Sequence, residues 1–282
     1  MTDQLSTFDL SELSSAIAGT EFAGYLMHFP TVASTNDLAL EAADVGARHG
    51  VWIADEQTAG RGRGTHNWHS TPGEGLYMTA LISPPIPMQS ALSLSLGVAI
   101  AVQSAIASIF GFRIPSQMDI RWPNDLLLNG KKCGGILIDT ASKPARNNQP
   151  ATLRYAVIGI GINLNHTTFP PELDPIATSL RRELPDPSQP LRREPLAAAI
   201  LLALSDELRA LTSNLKPRTS DPSTISTWIT GKRVRVEPSP SDPAGAPGYT
   251  GTTAGLNPSG FLLVAGDDGQ IHTVLSGGLR EP

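Results

Sequence analysis

Apolar and polar residues recur along the chain with spacings that predict both strands and helices. Residues 51–57 alternate in polarity and residues 76–82 are almost entirely apolar, so each stretch predicts a strand. Ser34 begins a helical pattern and has an acidic residue three positions later, which is typical of a helix N-terminus closed by a capping box. The long apolar stretches 91–112 and 196–211 predict buried helices.

The clearest local pattern is that of a β-hairpin. Residues 126–128 are apolar, Asn129-Gly130 is typical of a two-residue turn, and residues 131–139 return as a second strand. Residues 153–162 predict a further apolar strand. The proline-rich stretch 167–190 predicts a long loop, which we expect to move or to become ordered when a ligand binds.

The pattern changes at Gly231, where short strands separated by turn residues begin. These strands are predicted at residues 232–237, 249–256, 261–265 and 270–276. Four short strands over about 50 residues indicate a small β-barrel. We therefore expect two domains, residues 1–230 and residues 231–282.

Charge and composition limit the class of protein. A formal net charge of −5 argues against a chain that coats nucleic acid, because phosphate binding needs a concentrated basic face. Residues 1–20 lack the basic flank and apolar run of a signal peptide. Stretch 91–112 is uncharged but interrupted by serines and a glutamine, which favours a buried helix over a membrane span. The single cysteine, Cys133, is consistent with a reducing compartment, so we expect a cytoplasmic protein that binds neither DNA nor a membrane.

The glycine-rich stretch 56–68 is the first candidate for chemistry. Its alternating glycines let the backbone approach a ligand and expose N–H groups to an anion. Arg61 and Arg63 are two residues apart in extended chain, so both project to one side and suit a carboxylate beside a phosphate. His66 and His69 enlarge this cationic group to a size that fits one small anion. The alternative is a flexible, solvated surface loop.

The hairpin carries the second candidate. Pro123 fixes its start, so Asn124 and Asp125 lie at the base of the first strand and Lys132 lies on the returning strand. A lysine there can neutralise charge at an α-phosphate, and Asp125 can bind Mg²⁺ through its carboxylate. The Gly134-Gly135 pair leaves room for a group that lies flat against the backbone. The alternative is a surface hairpin with an exposed lysine pair.

A third candidate ends the strand predicted at 153–162. Gly159 and Gly161 leave one face of that strand bare, and Asn163 offers a donor and an acceptor to a ribose or phosphate oxygen. Alone, this motif is a weak indication of function.

Together and in this order, the three clusters resemble the biotin–protein ligase family. The likeness is carried by Ser34-Thr35-Asn36, Gln57 with Gly60-Arg61-Gly62-Arg63 and Trp68, Trp122-Pro123-Asn124-Asp125, Lys132 with Gly134-Gly135-Ile136-Leu137, and Gly159 to Asn163. It covers nearly all of the chain after Ser34. The resemblance implies an α+β fold, in which a mixed sheet flanked by helices, similar to class II synthetases, precedes a small C-terminal SH3-like β-barrel.

The resemblance also implies a role for each matching residue. Lys132 and Arg63 are the expected catalytic residues, with Arg63 bridging the biotin carboxylate and the ATP phosphate. The expected biotin-binding residues are Ser34, Thr35, Asn36, Gln57, Gly60, Arg61 and Gly135. The expected ATP-binding residues are Arg63, His66, Trp68, Asn124, Lys132, Asn163 and Arg280, and Asp125 is the expected Mg²⁺ ligand.

An enzyme of this kind activates biotin with ATP to biotinyl-5′-AMP and transfers biotin to a lysine of a biotin carboxyl carrier protein. Biotin and ATP are its substrates and Mg²⁺ is expected with them, while a monomer and a homodimer both remain open. A lipoate–protein ligase of the same fold is one alternative, but it is not expected to carry Gly-Arg-Gly-Arg followed by Trp68. A non-catalytic biotin-binding or biotin-sensing protein is another, but it would not need Lys132 or Asp125. Only about 30 residues precede Ser34, so we expect no helix-turn-helix domain.

Two positions depart from the family pattern. Further arginines are common after Arg63, where this chain has Gly64-Thr65-His66, so the phosphate contact at His66 is open. Cys133 stands where a larger apolar residue is frequent, and we interpret it as a small buried hydrophobe.

Overall fold

A computed structural model of the protein describes residues 8–64, 66–88, 91–145, 151–186, 188–213, 226–238, 248–257, 259–275 and 278–282. Within these ranges the helices are α1 (Leu10–Ala16), α2 (Thr35–Asp44), α3 (Ala91–Phe110) and α4 (Arg193–Thr212). The strands are β1 (Leu26–Val32), β2 (Gly50–Gln57), β3 (Gly75–Ile82), β4 (Met118–Arg121), β5 (Asp125–Leu128), β6 (Lys131–Lys143), β7 (Thr152–Asn163), β8 (Thr230–Glu237), β9 (Tyr249–Leu256), β10 (Leu262–Gly266), β11 (Ile271–Val274) and β12 (Gly278–Arg280).

These strands form two sheets. The larger has the order β1-β2-β3-β7-β6-β5-β4, in which β1 and β2 are parallel and every other neighbouring pair is antiparallel. The smaller has the order β11-β10-β9-β8-β12 and is antiparallel throughout. A mixed sheet flanked by helices, followed by a small barrel-like antiparallel sheet, confirms the predicted α+β class.

Helices cover both faces of the larger sheet. Side chains alternate between the two faces along each strand, so apolar residues on each face pack against helices. Ile158 and Ile160 of β7 point into the main apolar core, which also contains side chains of α1, α3 and α4. Val157, the residue before Ile158, points to the opposite face, where Ala39 and Ala43 of α2 pack. The functional site described below lies on this α2 face.

The β5–β6 hairpin has a tight turn and an irregular register. Asn129 and Gly130 have φ of 49° and 83°, as a turn with two left-handed central residues requires. Leu126 pairs with Gly134 and Leu127 with Lys132, so Cys133 is the extra residue of a β-bulge. Cys133 is completely buried in the main core, as expected, and burial raises the pKa of its thiol to about 12.

The apolar core of the smaller sheet extends into the larger one. Trp122 and Leu127 belong to the same buried cluster as Val234, Leu262 and Val274 of the barrel-like sheet. Segment 226–229, which leads into β8, contacts both sheets. Ser226 Oγ donates to the Ile120 carbonyl of β4 at 2.6 Å, and Trp228 and Ile229 belong to the buried cluster of the smaller sheet.

Several elements differ from the sequence prediction. The pattern did not reveal α1, β1 or β4, and it predicted four C-terminal strands where the structure also has β12. Short edge strands such as β4 and β12, with four and three residues, contain too few positions for alternation to be recognised. Within the described parts of the chain, no helix combines the length and apolarity needed to cross a membrane.

Leu127→Ala tests how firmly β5 is built into the core of the smaller sheet. Leu127 is 3% exposed, and removing its side chain should lower the free energy of unfolding by about 2–5 kcal/mol. Urea denaturation of both proteins measures the difference. Leu202→Ala is the matched control, since Leu202 is 42% exposed and its loss should cost only about 1 kcal/mol. Equal losses in the two variants would contradict the packing described here.

Candidate active site

Missing side chains on the α2 face of the sheet create the floor of a pocket. Along β7, Tyr155 and Val157 pack against α2, but the next two positions on that face are Gly159 and Gly161. A Cβ at Gly159 would lie 2.1 Å from Asn36 Oδ1, and one at Gly161 would lie 2.6 Å from Trp68 Cε2. Only glycine therefore lets these two side chains lie against the strand.

The N-terminus of α2 supplies a polar wall. Ser34 caps the helix by accepting a hydrogen bond from the Asp37 backbone N–H at 3.4 Å, as its sequence pattern predicted. The backbone N–H and the hydroxyl of Thr35 both donate to Gln57 Oε1, at 2.8 and 3.0 Å. These contacts join the start of α2 to the end of β2.

Asn36 brings an unpaired donor to this wall. Its Oδ1 accepts from the hydroxyl of Thr79 at 2.6 Å, but its buried Nδ2 has no hydrogen-bond partner among the described residues. A buried donor without a partner is costly, so a ligand acceptor would satisfy it. Thr79 was not predicted as a site residue, although it is the one threonine in an otherwise largely apolar strand, which is a usable signal.

Trp68 covers the glycine floor from above. Its ring lies over Gly135 and Gly161, where added Cβ atoms would come within 2.9 and 2.6 Å of the indole. The backbone N–H of Trp68 donates to the Gly60 carbonyl at 2.8 Å, which folds loop 58–74 back on itself. The buried Nε1 of Trp68 has no partner among the described residues. The sequence predicted that a flat group lies against the Gly134-Gly135 backbone. At Gly135 that group is the Trp68 indole.

The β-bulge at Cys133 directs Lys132 into the same pocket. Strict alternation would place residues 132 and 135 on opposite faces, but the extra residue brings both to the α2 face. Lys132 Nζ lies 2.6 Å from Asp125 Oδ1 and 5.5 Å from the centroid of the Trp68 ring.

Asp125 holds two cations at once. Arg121 Nη2 lies 2.6 Å from Asp125 Oδ2, while Lys132 contacts the other oxygen. Burial by itself raises the pKa of the Asp125 carboxyl, but the charges of Lys132 and Arg121 together hold it below its usual value. The carboxylate therefore stays ionised and keeps both cations at the pocket.

Arg63 reaches the other side of this group. Its Nη1 donates to Asn124 Oδ1 at 3.4 Å, and the Asn124 amide in turn donates to the Ile136 carbonyl at 2.7 Å. Burial lowers the pKa of the Arg63 guanidinium, and the charge of Asp125 partly opposes that shift. A partly buried guanidinium is more weakly hydrated than an ammonium group and is therefore well suited to bind an anion.

One pocket of about 590 Å³ contains most of the predicted site residues. It is lined by Ser34, Thr35, Asn36, Gln57, Arg61, Arg63, His66, Trp68, Asn124, Asp125, Lys132, Gly135 and Arg280. The two exceptions are Gly60 and Asn163. Gly60 shapes the loop below Trp68, and the side-chain amide of Asn163 donates to the Thr178 carbonyl at 3.0 Å.

The lining includes residues that sequence reasoning did not assign to the site. Arg121 directly precedes the Trp122-Pro123-Asn124-Asp125 motif but was given no role, while Leu173 and Ile176 come from the loop that was expected to respond to ligand. Glu237 and Arg280 enter from the smaller sheet, where they lie 3.5 Å apart, and no local pattern marks Glu237. Arg61 is already paired, with Asp37 at 3.1 Å and Asp139 at 3.2 Å, so it also anchors the loop.

Comparison with known proteins decides the family. A family model described as the biotin/lipoate A/B protein ligase family matches residues 29–163. The biotin–[acetyl-CoA-carboxylase] ligase of Mycobacterium tuberculosis is 34% identical over 211 residues, which cover 72% of this chain and 71% of that protein. This chain belongs to the biotin–protein ligase family. The resemblance found in the sequence motifs is thereby confirmed.

Other members show how far the likeness extends. The bifunctional ligase/repressor BirA of Bacillus subtilis is 42% identical over 165 residues, or 57% of this chain and 48% of that protein, so this chain spans about half the length of that relative. The structure of the biotin protein ligase from Aquifex aeolicus in complex with biotin and ATP has a TM-score of 0.69 at 25% identity. That comparison covers 92% of this chain and 100% of the other.

The predicted Mg²⁺ ligand fits poorly in this member of the biotin–protein ligase family. Both oxygens of Asp125 contact cationic side chains, and among the described residues no three histidine, cysteine, aspartate or glutamate side chains converge as metal ligands. Mg²⁺ is often bound mainly by water and substrate phosphates, so it would not need Asp125 as a ligand.

Asp125→Asn should remove a pH-dependent part of the stability. A carboxyl whose folded pKa lies below its ordinary value of 3.8 stabilises the protein fully above that value, and loses this contribution as the pH falls through the lowered pKa. The free energy of unfolding of the wild type should therefore fall more steeply than that of Asp125→Asn below about pH 4. Urea denaturation across this range is the measurement.

Asp174→Asn serves as the control for this comparison. Asp174 also pairs with an arginine, at 2.8 Å from Arg182, but it is 51% exposed, so solvent screens the pair. If Asp125→Asn and the wild type have parallel pH profiles, the carboxylate does not hold its cations as described.

Proposed function

We propose that the protein is a biotin–protein ligase, which forms biotinyl-5′-AMP from biotin and ATP and transfers biotin to a lysine of a biotin carboxyl carrier protein. The observation that carries the proposal is one pocket with a polar, partly unsatisfied wall at one end and a group of cations at the other. Biotin has a matching pair of ends, a ureido ring and a carboxylate.

The wall at α2 suits the ureido ring. That ring presents N–H donors and one carbonyl acceptor, and the wall offers the Ser34 and Thr35 hydroxyls, the Gln57 amide and the unpaired Nδ2 of Asn36. The fused ring system is otherwise apolar, and the Trp68 indole, which rests on Gly135 and Gly161, offers it a flat apolar surface. We assign Ser34, Thr35, Asn36 and Gln57 to biotin recognition, with the Gly135 backbone on the floor.

The cationic end suits two anions. Joining a carboxylate to a triphosphate requires like charges to approach, and an enzyme must offset that repulsion. The basic side chains that line the pocket are Arg61, Arg63, Arg121, Lys132 and Arg280, against Asp125 and Glu237. This local excess of positive charge contrasts with a chain whose net charge is −5.

The first step forms one bond and breaks another. A biotin carboxylate oxygen attacks the α-phosphorus of ATP, an anhydride forms, and pyrophosphate leaves. Lys132 stabilises the charge that develops on the α-phosphate, and Arg63 holds carboxylate and phosphate together, which orients the attack. Asn124, His66 and Arg280 contact the nucleotide at the rim of the pocket.

The second step transfers biotin. The uncharged amine of the acceptor lysine attacks the acyl carbon of the anhydride, AMP leaves, and the amine gives up a proton to solvent. Until the acceptor arrives, the anhydride must be shielded from water. The described loop residues that line the pocket, Arg61 to Gly64 and His66 to Trp68, provide that shield.

We propose that residues 1–230 form the catalytic domain and residues 231–282 a smaller unit that contributes Arg280. We place the protein in the cytoplasm, consistent with its single buried cysteine, and without a role in DNA binding, consistent with its net charge.

Pyrophosphate release tests the proposal. With biotin, ATP and Mg²⁺, the wild type should release pyrophosphate and label a carrier domain at one lysine, and lipoate should not replace biotin. Lys132→Ala should lower the rate of pyrophosphate release by about 100- to 1000-fold, while calorimetry should find the affinity for biotin within a few-fold of wild type.

Lys131→Ala is the matched control, because Lys131 is adjacent in sequence but its Nζ points away to the Asp174 carbonyl at 3.3 Å. It should keep a rate close to that of the wild type. Loss of biotin affinity together with activity in Lys132→Ala would mean that Lys132 binds biotin rather than acting on the phosphate.

A further inference from the structure

The backbone of Lys132 is held by a segment that belongs to neither strand of its hairpin. The Lys132 N–H donates to the Ile176 carbonyl at 2.9 Å, and the Thr178 N–H donates to the Lys132 carbonyl at 2.9 Å. This pair of bonds forms an isolated parallel bridge between Lys132 and Ala177. The segment 176–178 is here called the bracing segment.

The bracing segment lies beside the part of β6 that does not pair with β7. Strand β7 pairs with β6 only from Gly134 onward, through Ile162. On the other side of β6, the bulge at Cys133 interrupts the register with β5. Lys132 therefore lies at an irregular end of β6, where the bracing segment replaces β7 as its neighbour.

Glu183 ties the bracing segment to the hairpin turn. One carboxylate oxygen accepts from the Thr178 hydroxyl at 2.6 Å, and the other accepts from Asn129 Nδ2 at 2.6 Å. Asn129 is the first central residue of the turn, three residues before Lys132. Through these two bonds, Glu183 connects the bracing segment, which pairs with Lys132, to the turn that precedes Lys132.

Asn163 fixes the bracing segment from a third direction. Its side-chain amide donates to the Thr178 carbonyl at 3.0 Å, and its backbone carbonyl accepts from the Leu180 N–H at 2.9 Å. Asn163 and Thr178 are both buried, at 6% and 1% exposure. These contacts favour a bracing role for Asn163 over the direct nucleotide contact expected from sequence.

We propose that Glu183 is a positioning residue for the adenylation step, acting through Thr178 and Asn129 to hold the backbone of Lys132 in place. The inference rests on the proposed function, because Lys132 is assigned there to the α-phosphate. The ammonium group of lysine sits at the end of a flexible chain, so its position depends on where the backbone starts. A displacement of about 1 Å at a catalytic group can cost about 100-fold in rate.

Thr178→Val is the main test, because it removes only the hydroxyl and keeps the shape of a buried, β-branched side chain. The turnover number for pyrophosphate release should fall about 10-fold or more, with the KM for biotin within about twofold. Thr178→Ser, which restores the hydroxyl, should recover most of the rate. Asn129→Gly removes the hydrogen bond from Asn129 to Glu183 at an exposed turn that glycine tolerates. It should lower the turnover number as Thr178→Val does, and it keeps the test valid if the variant at the buried Thr178 does not fold.

Hydrogen exchange supplies a readout that is independent of activity. The Lys132 and Thr178 amides should exchange faster in Thr178→Val, Asn129→Gly and Glu183→Ala, because the bridge between them opens more often. The Ile136 amide, which donates to the Asn124 carbonyl, should be unchanged. Glu172→Ala is the matched control, since Glu172 is an exposed glutamate on the same loop and its loss should leave both the rate and the exchange unaltered.

The outcomes separate this inference from the function on which it rests. A wild type that releases no pyrophosphate with biotin and ATP would overturn the proposed function, whatever the exchange data show. An active wild type, with Thr178→Val and Asn129→Gly variants that keep its turnover number, would overturn the role of Glu183. A fall in turnover with unchanged exchange at Lys132 would also overturn it, since the effect would not pass through that backbone.

Discussion

Lys132, Asp125 and Arg121 form a group in which one carboxylate lies between two cations, at 2.6 Å from each. Without Asp125, two positive charges would repel each other in a pocket that is partly shielded from water, and neither would stay in place. Without the cations, burial would favour the protonated carboxyl. The group therefore keeps a fixed positive charge next to the space where the proposed reaction would bring two anions together.

The fold supplies this charge group with a place to act. The α2 face of the sheet would be filled by side chains if β6 and β7 carried ordinary residues, but Gly135, Gly159 and Gly161 leave a floor on which Asn36 and Trp68 rest. The hairpin then places Lys132 at the edge of that floor. The smaller sheet shares an apolar core with Trp122 and Leu127, next to the charge group, and this contact brings Arg280 and Glu237 to the rim.

The sequence predicted those features that depend on local chemistry. The cap at Ser34, the Asn129-Gly130 turn and the bare glycine face of β7 each follow from residue type and spacing, and each is present. What sequence could not predict depends on long-range contacts. The bulge at Cys133 has no local pattern, and it alone explains how residues 132 and 135 share a face. Asn163 matched a motif by type, but its contact with Thr178 depends on where a distant loop packs.

The exchange of labelled pyrophosphate into ATP tests the central claim most directly, because it reports the reversible adenylation of biotin in this pocket without an acceptor protein. The account predicts exchange that requires biotin, is not supported by lipoate, and is lost in Lys132→Ala but kept in Lys131→Ala. Absence of biotin-dependent exchange in the folded wild type, with ATP and Mg²⁺ present, would contradict it.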